Sequence, residues 1–383
     1  MTHDAAEILR DLIACPSVTP HDNGALGVVE QKLRSLGFAT HRVRFSAPGT
    51  PDIENIYARL GKSAPHLMFA GHTDVVPTGA LEAWTHAPFG GVEANGFIWG
   101  RGAVDMKGGL ASALAAVAQF LGQHGAPKGS ISFLITGDEE GPAINGTVKL
   151  LDWALARGEV FDQCILGEPT NPSAMGDMIK IGRRGSLTGE LVAEGRQGHV
   201  AYPQMADNPI PHLLRAMTTL LATPLDHGTK AFDASNLEFT TVDVGNRAHN
   251  VIPAQAQARF NIRFNDLWTH ATLKDEIGRR VASSDATCKL IFHDSNASAF
   301  LTKPGPFTTL FAEAVTAETG RVPKLSTTGG TSDARFIIKA CPVVEFGLVG
   351  ETMHAIDERV SVRDLETLTA IYRRVMAQYF GIV

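Results

Sequence analysis

Acidic residues and histidines recur in this sequence close to the ends of short apolar segments. The set comprises His72, Asp74, Asp105, Glu139, Glu140, Glu168 and His354. Carboxylates gathered in one crevice repel one another unless a cation neutralises them. Carboxylate and imidazole ligands without thiolates suit divalent ions such as zinc, cobalt or manganese. The residue types therefore predict a metal centre.

Two divalent ions would balance the charge of this set. Asp105, Glu140 and Glu168 would supply three negative charges, and a bridging hydroxide would supply the fourth. Glu139 would then stay outside the ligand set, free to accept a proton from water. Taken singly, each of these residues is more typical of a structural histidine, a turn or a solvated loop. Only their joint placement favours a site.

The apolar segments have the length of strands that are buried on both faces of an α/β sheet. They span residues 67–70, 131–136, 164–166 and 343–346. The uncharged, Ala-rich stretch 108–127 and the periodic stretch after Ser361 predict helices. Sites in open α/β sheets form outside the carboxyl ends of the strands. We therefore expect the acidic residues and histidines to meet at one edge of the sheet.

A second type of domain is indicated in the middle of the chain. Residues 254–264 alternate strictly between apolar or Ala side chains and polar ones, and 187–193 and 239–244 do so more weakly. Such alternation is typical of an antiparallel sheet with one solvated face. We predict an α+β domain at 181–293, inserted into an α/β domain that is formed by 1–180 and 294–383.

Composition and motifs exclude several function classes. The chain has 34 Lys and Arg against 40 Asp and Glu, a net charge of −6, and no basic block, which disfavours nucleic-acid and membrane partners. Four widely spaced cysteines and a charged N-terminus favour a cytoplasmic protein. The sequence has no HExxH motif, and its glycine-rich stretches fail the dinucleotide and nucleophile-elbow patterns. A small-molecule substrate is the remaining expectation.

Several stretches resemble the co-catalytic zinc amidohydrolases of the M20 peptidase class. They are GHTDVVP at 71–77, GRGAVDMKG at 100–108, DEEG at 138–141, GEPT at 167–170, and His354. The resemblance implies an α/β, zinc-peptidase-like catalytic domain with a central mixed sheet flanked by helices. It also implies an inserted α+β dimerisation domain with an antiparallel sheet.

The resemblance assigns roles to the acidic residues and histidines. It implies that His72 and Glu168 bind one zinc ion, that Glu140 and His354 bind the other, and that Asp105 bridges them. It further implies that Asp74 hydrogen-bonds to His72, that Glu139 is the general base, and that the peptide bond after Asp105 is cis. Cobalt or manganese would be possible substitutes for zinc.

Within the class, the stretches 182–187, 197–203, 208–210 and 329–333 resemble the desuccinylases. This implies hydrolysis of N-succinyl-LL-2,6-diaminopimelate to LL-2,6-diaminopimelate and succinate by a homodimer. His199 and Asn250 would reach the active site of the neighbouring subunit. The residues implied to line the substrate pocket are Arg183, Ser186, Tyr202, Arg263, Gly330 and Thr331.

Other functions stay open at this point. An N-acetylornithine deacetylase, another aminoacylase or a carboxypeptidase of the same class would share every metal ligand. A non-catalytic metal-binding protein would need the ligands but not the base Glu139. Gly350 departs from the Asn that many desuccinylases carry four residues before the last histidine ligand. This departure would either remove one substrate contact or leave it to water, and it touches no metal ligand.

Overall fold

The computed structural model describes residues 4–382. The strands are β1 (Ala39–Phe45), β2 (Ile53–Leu60), β3 (His66–His72), β4 (Val92–Ala94), β5 (Phe97–Trp99), β6 (Ser130–Thr136), β7 (Gln163–Leu166), β8 (Met178–Lys180), β9 (Gly182–Arg183), β10 (Gly185–Glu194), β11 (Gly198–His199), β12 (Asn236–Asp243), β13 (Val251–Ile252), β14 (Gln255–Phe264), β15 (Lys289–Phe292), β16 (Phe300–Leu301), β17 (Lys324–Ser326), β18 (Val343–Glu345) and β19 (Arg359–Ser361). The α-helices are α1 (Ala5–Ile13), α2 (Ala25–Ser35), α3 (Lys107–His124), α4 (Thr147–Leu155), α5 (Pro209–Leu221), α6 (His270–Ala282), α7 (Pro306–Thr319), α8 (Ala334–Ile337) and α9 (Val362–Tyr379).

The chain forms two compact units. The first comprises the chain up to Ile181, the segment Thr302–Ser326 and the chain from Ser332 onwards. The second comprises Gly182–Leu301 and Thr327–Thr331. The second unit thus continues past residue 293, the predicted end of the insertion. The reason is that β16 pairs with β9, with Phe300 opposite Arg183. The sequence did not predict this pairing, because strands of two residues carry no periodic signal.

The first unit contains an eight-stranded mixed sheet in the order β1-β2-β6-β3-β7-β18-β8-β17. The four neighbouring strands β6, β3, β7 and β18 run parallel to one another. Every residue of β3 and β6 is buried, as expected for parallel strands covered on both faces. Helices α2 and α4 pack against strands of this sheet, and α3 packs against β3 and α9. The predicted α/β class and the predicted strands are therefore confirmed.

Helix α3 approaches the end of β7 at a point where only glycine fits. A Cβ atom on Gly109 would lie 2.2 Å from the carbonyl oxygen of Gly167, the residue before Glu168. Gly102, in the loop that leads into α3, has a φ of +83°, which L side chains rarely adopt. The missing side chain at position 109 lets the start of α3, and with it Asp105, lie next to the strand end that carries Glu168.

The second unit is built on a four-stranded antiparallel sheet in the order β12-β14-β10-β15. In β14 the even-numbered residues from Ala256 to Phe264 are buried and the odd-numbered ones are exposed or half-buried. Helices α5 and α6 pack against each other, and their apolar side chains join those of β14 and β10 in one core. The strict alternation at 254–264 correctly predicted this strand.

None of the helices within residues 4–382 combines the length and the apolar character that crossing a bilayer requires. The four cysteines all lie in that range and are free thiols, with Cys164 and Cys341 buried.

Gly109→Ala tests the close approach of α3 to β7. We expect the free energy of unfolding to fall by about 1–3 kcal/mol, because the added methyl group meets a backbone carbonyl that cannot move aside freely. Gly122→Ala is the matched control in the same helix, since Gly122 has no atom within 4 Å of the new Cβ, and it should stabilise the helix. Urea unfolding of both variants measures the difference, and equal stabilities would contradict the prediction.

Candidate metal centre

The parallel strands of the first unit bring most of the predicted ligands to one edge of the sheet. His72 is the last residue of β3, Glu139 and Glu140 follow β6, and Glu168 follows β7. His354 lies in the loop beyond β18, with a φ of +61°. A left-handed backbone is uncommon for a residue other than glycine and is often found at functional sites. The sequence-based expectation of convergence at the strand ends holds for these residues.

Asp105 reaches the site in a different way. It does not follow a strand of the central sheet but stands directly before Met106 and Lys107, where α3 begins. The Asp105–Met106 peptide bond is cis, as the family resemblance implied. The glycine-permitted approach of α3 to β7 therefore supplies the carboxylate that the strands themselves do not.

Two groups of ligand atoms meet on the two oxygens of the Asp105 carboxylate. Asp105 Oδ1 lies 3.3 Å from His72 Nε2, which in turn lies 3.6 Å from Glu168 Oε1. Asp105 Oδ2 lies 3.2 Å from His354 Nε2, which lies 2.9 Å from Glu140 Oε1. We call the group of His72, Asp105 and Glu168 the first metal position. We call the group of Asp105, Glu140 and His354 the second metal position.

These distances fit divalent ions. Ligand atoms on a tetrahedral zinc ion with bonds of 2.0–2.2 Å lie about 3.3–3.6 Å apart. His72 is buried, and among the described residues no group forms a hydrogen bond with its Nε2 atom. A buried imidazole nitrogen without a partner is costly. A metal ion at the first metal position would satisfy it. His72 also lies within a 4.8 Å cluster with Asp105 and Glu140, and within another with Glu139 and Glu168.

Asp74 differs from its predicted role as the side-chain partner of His72. The Nδ1 atom of His72 donates to the backbone carbonyl of Asp74 at 2.8 Å, whereas the Asp74 carboxylate is 3.6 Å away. That carboxylate accepts hydrogen bonds from the backbone N–H groups of Glu139 and Glu140 at 3.2 and 3.0 Å. Its oxygens are directed at these two amides, so Asp74 positions the Glu139–Glu140 turn. The backbone contact still fixes the tautomer that leaves Nε2 free to bind a metal.

The side chain of Glu139 lies beside the first metal position. One of its carboxylate oxygens lies within 4.8 Å of ligand atoms of His72 and Glu168. Burial raises the pKa of Glu139 well above its ordinary value, the charge of His72 opposes this rise, and the nearby carboxylates of Asp333 and Glu140 add to it. A carboxylate with a raised pKa, held next to ligand atoms, can act as an acceptor for a proton from water.

The surrounding carboxylates raise the pKa values of both imidazoles. Hydrogen bonds to Asp105 and Glu140 raise the pKa of His354 to about 10. Burial alone would lower the pKa of His72, but Asp105, Glu168, Asp74 and Glu139 raise it well above its ordinary value. Burial would likewise raise the pKa of Asp105, yet the two histidines lower it. The cluster therefore attracts positive charge, which divalent ions would provide in place of protons.

Two residues that the sequence analysis did not single out support the ligands. Glu358 is fully buried, and its carboxylate accepts from Arg101 Nη1 at 2.8 Å and from the backbone N–H of Asp105 at 3.1 Å. Arg101 belongs to the stretch at 100–108 that carries the family resemblance. No sequence pattern pairs it with a glutamate 257 positions away.

The residues predicted to bind substrate or to act in trans all lie in the second unit. His199 is exposed on β11, and its neighbour Val200 donates from its backbone N–H to the carbonyl of Asn250 at 3.1 Å. The hydrogen bond that His199 Nδ1 accepts from the backbone N–H of Ala201, at 3.1 Å, leaves the proton of the neutral ring on Nε2. The ring centroids of His199 and Tyr202 are 5.7 Å apart.

The second unit also carries the arginines that were predicted to bind substrate. Arg183 is buried and donates to the carbonyl of Gly330 at 3.2 Å, and Thr331 follows in the same loop. Ser186 and Arg263 are direct partners in the ladder of β10 and β14. Burial and the nearby charge of Arg184 lower the pKa of Arg263. Guanidinium groups that repel each other in this way would be stabilised by an anion.

The fold and the sequence were compared with known proteins. The model of Peptidase family M20/M25/M40 matches residues 68–378. A protein of Methylorubrum populi described as succinyl-diaminopimelate desuccinylase is 64% identical over 374 residues, 97% of each chain. The M20 family metallo-carboxypeptidase Sso-CP2 from Sulfolobus solfataricus shares the fold, with a TM-score of 0.80 and 16% identity over 100% of both chains.

Bacillus subtilis YxeP, described as a dinuclear metal binding peptidase from the M20 family, also shares the fold. Its TM-score is 0.70 and its identity 17%, over 99% of this chain and 98% of that one. The family model and the full-length relative together place the sequence in one family. This chain belongs to peptidase family M20/M25/M40.

Proposed function

We propose that this chain is a metal-dependent amide hydrolase of lysine and diaminopimelate biosynthesis. It would convert N-succinyl-LL-2,6-diaminopimelate and water into LL-2,6-diaminopimelate and succinate. The observation that carries this proposal is the 64% identity, over 97% of both chains, to the Methylorubrum populi desuccinylase. The close approach of the five predicted ligands and of Glu139 to one another supports the hydrolytic chemistry.

We propose two divalent metal ions as cofactors, zinc with cobalt or manganese as substitutes. His72, Asp105 and Glu168 would hold one ion, and Asp105, Glu140 and His354 would hold the other. When bound, such ions polarise an amide carbonyl and lower the pKa of water towards ~7. The support is the placement of Asp105 between the two groups and the buried Nε2 atom of His72, which forms no hydrogen bond with the described residues.

Glu139 would carry the proton in this reaction. Its carboxylate would accept a proton from the attacking water, and the same group would return it to the leaving amine. The Asp74 carboxylate would hold the Glu139 backbone in place through the N–H bonds described above. An amide nitrogen must be protonated to leave as an amine, so one residue serves both steps.

We further propose a homodimer in which His199 and Asn250 act in the active site of the partner subunit. The Nε2 proton of neutral His199 would be a donor to the oxyanion that forms from the amide carbonyl. Its exposure and the hydrogen bond at Nδ1 are consistent with this role. A cytoplasmic location stays a prediction.

The arginines of the second unit fit the proposed substrate. N-succinyl-LL-2,6-diaminopimelate has three carboxylates, and a protein with a net charge of −6 needs local cations to bind it. Arg183 and Arg263 would pair with substrate carboxylates, and Ser186, Tyr202, Gly330 and Thr331 would line the same pocket. Within residues 4–382, no carboxylate offsets the lowering of the pKa of Arg263 by burial and by Arg184.

The substrate assay separates this proposal from its relatives within the family. We expect amine release from N-succinyl-LL-2,6-diaminopimelate to be at least ~10²-fold faster than from N-acetylornithine, because an acetyl group brings no carboxylate to the half-buried Arg263 guanidinium. Dialysis against a chelator should abolish the activity, and added zinc or cobalt should restore it. Faster turnover of N-acetylornithine, or release of a C-terminal residue from a peptide, would contradict the assignment.

Glu139→Gln tests the proton carrier. We expect kcat to fall ~10²–10⁴-fold or more while the metal content stays at the wild-type level, because the amide keeps the shape but cannot accept the proton. Glu313→Gln, at an exposed position of α7, is the matched control and should keep full activity. Turnover of Glu139→Gln within tenfold of wild type would exclude Glu139 as the base.

Mixed dimers test the contribution in trans. His199→Ala and Glu139→Gln homodimers should each be almost inactive. After subunit exchange, activity should recover to roughly a quarter of the wild-type rate, because half of the dimers are then mixed and each mixed dimer has one complete site. Mass spectrometry would confirm the exchange. Mixed dimers without recovered activity, or a monomer in sedimentation experiments, would contradict the proposal.

A further inference from the structure

The buried ion pair of Arg101 and Glu358 joins three separate segments around the metal centre. Arg101 is 2% exposed and Glu358 is 0% exposed, and their closest atoms are 2.8 Å apart. Both lie in the first unit, but in the sequence they are 257 positions apart. Burying a charge pair has a high desolvation cost, which further hydrogen bonds to the two side chains must offset.

The Glu358 carboxylate shapes the loop that ends in Asp105. One oxygen accepts from the backbone N–H groups of Val104 and Asp105 at 2.8 and 3.1 Å, and the other accepts from that of Gly102 at 3.0 Å. These three backbone amides, all directed at one carboxylate, fix the conformation of the loop that carries Asp105. The loop cannot rotate without breaking several charge-assisted hydrogen bonds.

The Arg101 guanidinium holds the loop that carries His354. It donates to the carbonyl of Ala355 at 3.1 Å and to that of His354 itself at 3.4 Å. It also donates at 3.2 Å to the carbonyl of Pro77, in the segment that follows His72 and β3. The His354 backbone is in the left-handed region, so it needs such external contacts to keep its conformation.

We infer that Arg101 and Glu358 are positioning residues that set the geometry of the second metal position. This inference rests on the metal centre in the proposed function. The second position depends on Asp105 and His354, and both belong to loops held by the ion pair. The first position keeps His72 and Glu168, which lie at the ends of the paired strands β3 and β7. Loosening the pair should therefore weaken one metal position more than the other.

Cobalt titration of the metal-free protein tests this difference, with visible absorption and calorimetry as readouts. Wild type should bind two Co²⁺ ions. In Glu358→Gln and Arg101→Lys we expect one of the two Kd values to rise ~10–100-fold, as is usual when a partner of a metal ligand is changed. The other Kd should stay unchanged, and only the absorption band of the weakened ion should shift. Arg101→Lys keeps a positive charge opposite Glu358, so we expect this variant to fold even if Glu358→Gln does not.

Arg280→Lys is the matched control. Arg280 is 7% exposed, pairs with Glu276, and donates to the backbone carbonyls of Thr223 and Pro224 in the second unit. Its substitution should lower the thermal midpoint without changing either cobalt affinity. If Glu358→Gln and Arg101→Lys behave like this control, or if neither folds, the ion pair has only a structural role and the inference is overturned.

The same titration separates this inference from the proposed function. Wild type that binds fewer than two Co²⁺ ions would overturn the dinuclear centre, and the positioning role with it. Wild type that binds two ions but leaves N-succinyl-LL-2,6-diaminopimelate intact would overturn the assigned reaction alone. In that case, a selective loss of one of the two ions in the two variants would still support the positioning role.

Discussion

The structure of the first unit depends on keeping several carboxylates close together where parallel strands end. Asp105, Glu139, Glu140 and Glu168 lie within a few ångströms of two imidazoles, in a largely buried setting. Repulsion among such groups grows as water is excluded, and only positive charge can offset it. The raised pKa of His354 shows this effect, because a proton on its imidazole offsets part of the negative charge. A pair of divalent ions would likewise offset negative charge, and it would also make the site reactive.

Buried carboxylates that do not face the cluster are used to hold its backbone. Asp74 accepts from the amides of Glu139 and Glu140, and Glu358 accepts from the amide of Asp105. An N–H group directed at a carboxylate cannot rotate freely, so each of these acids fixes the position of another. The site therefore contains two sets of acidic residues. The carboxylates of one set face the two metal positions, and those of the other set, Asp74 and Glu358, accept hydrogen bonds from backbone amides.

The sequence predicted the parts of this arrangement that local patterns encode. Apolar segments with polar ends predicted the strands that end at His72 or shortly before Glu140 and Glu168. These residues were expected to meet because the carboxyl ends of parallel strands lie at one edge of the sheet. The partner of Arg101 could not be predicted, since the contact depends on how a loop 257 positions away returns to the sheet. The direction of the Asp74 carboxylate was missed for a related reason. Asp74 is two residues from His72, so that both its carboxylate and its backbone carbonyl can reach the imidazole. The sequence spacing alone does not indicate which of the two forms the hydrogen bond.

The two units contribute different chemistry to the proposed reaction. The proposed metal ligands and the proposed proton carrier belong to the first unit, whereas the arginines and His199 belong to the second. Cleaving an amide requires the same charge stabilisation whatever acyl group it carries, but recognising a carboxylate on that group requires guanidinium or comparable donors. The fold is shared with Sso-CP2 at 16% identity, so the fold leaves the substrate undetermined. In the proposed function, the choice of substrate would come from Arg183 and Arg263, which lie on β9 and β14 and not at the metal centre.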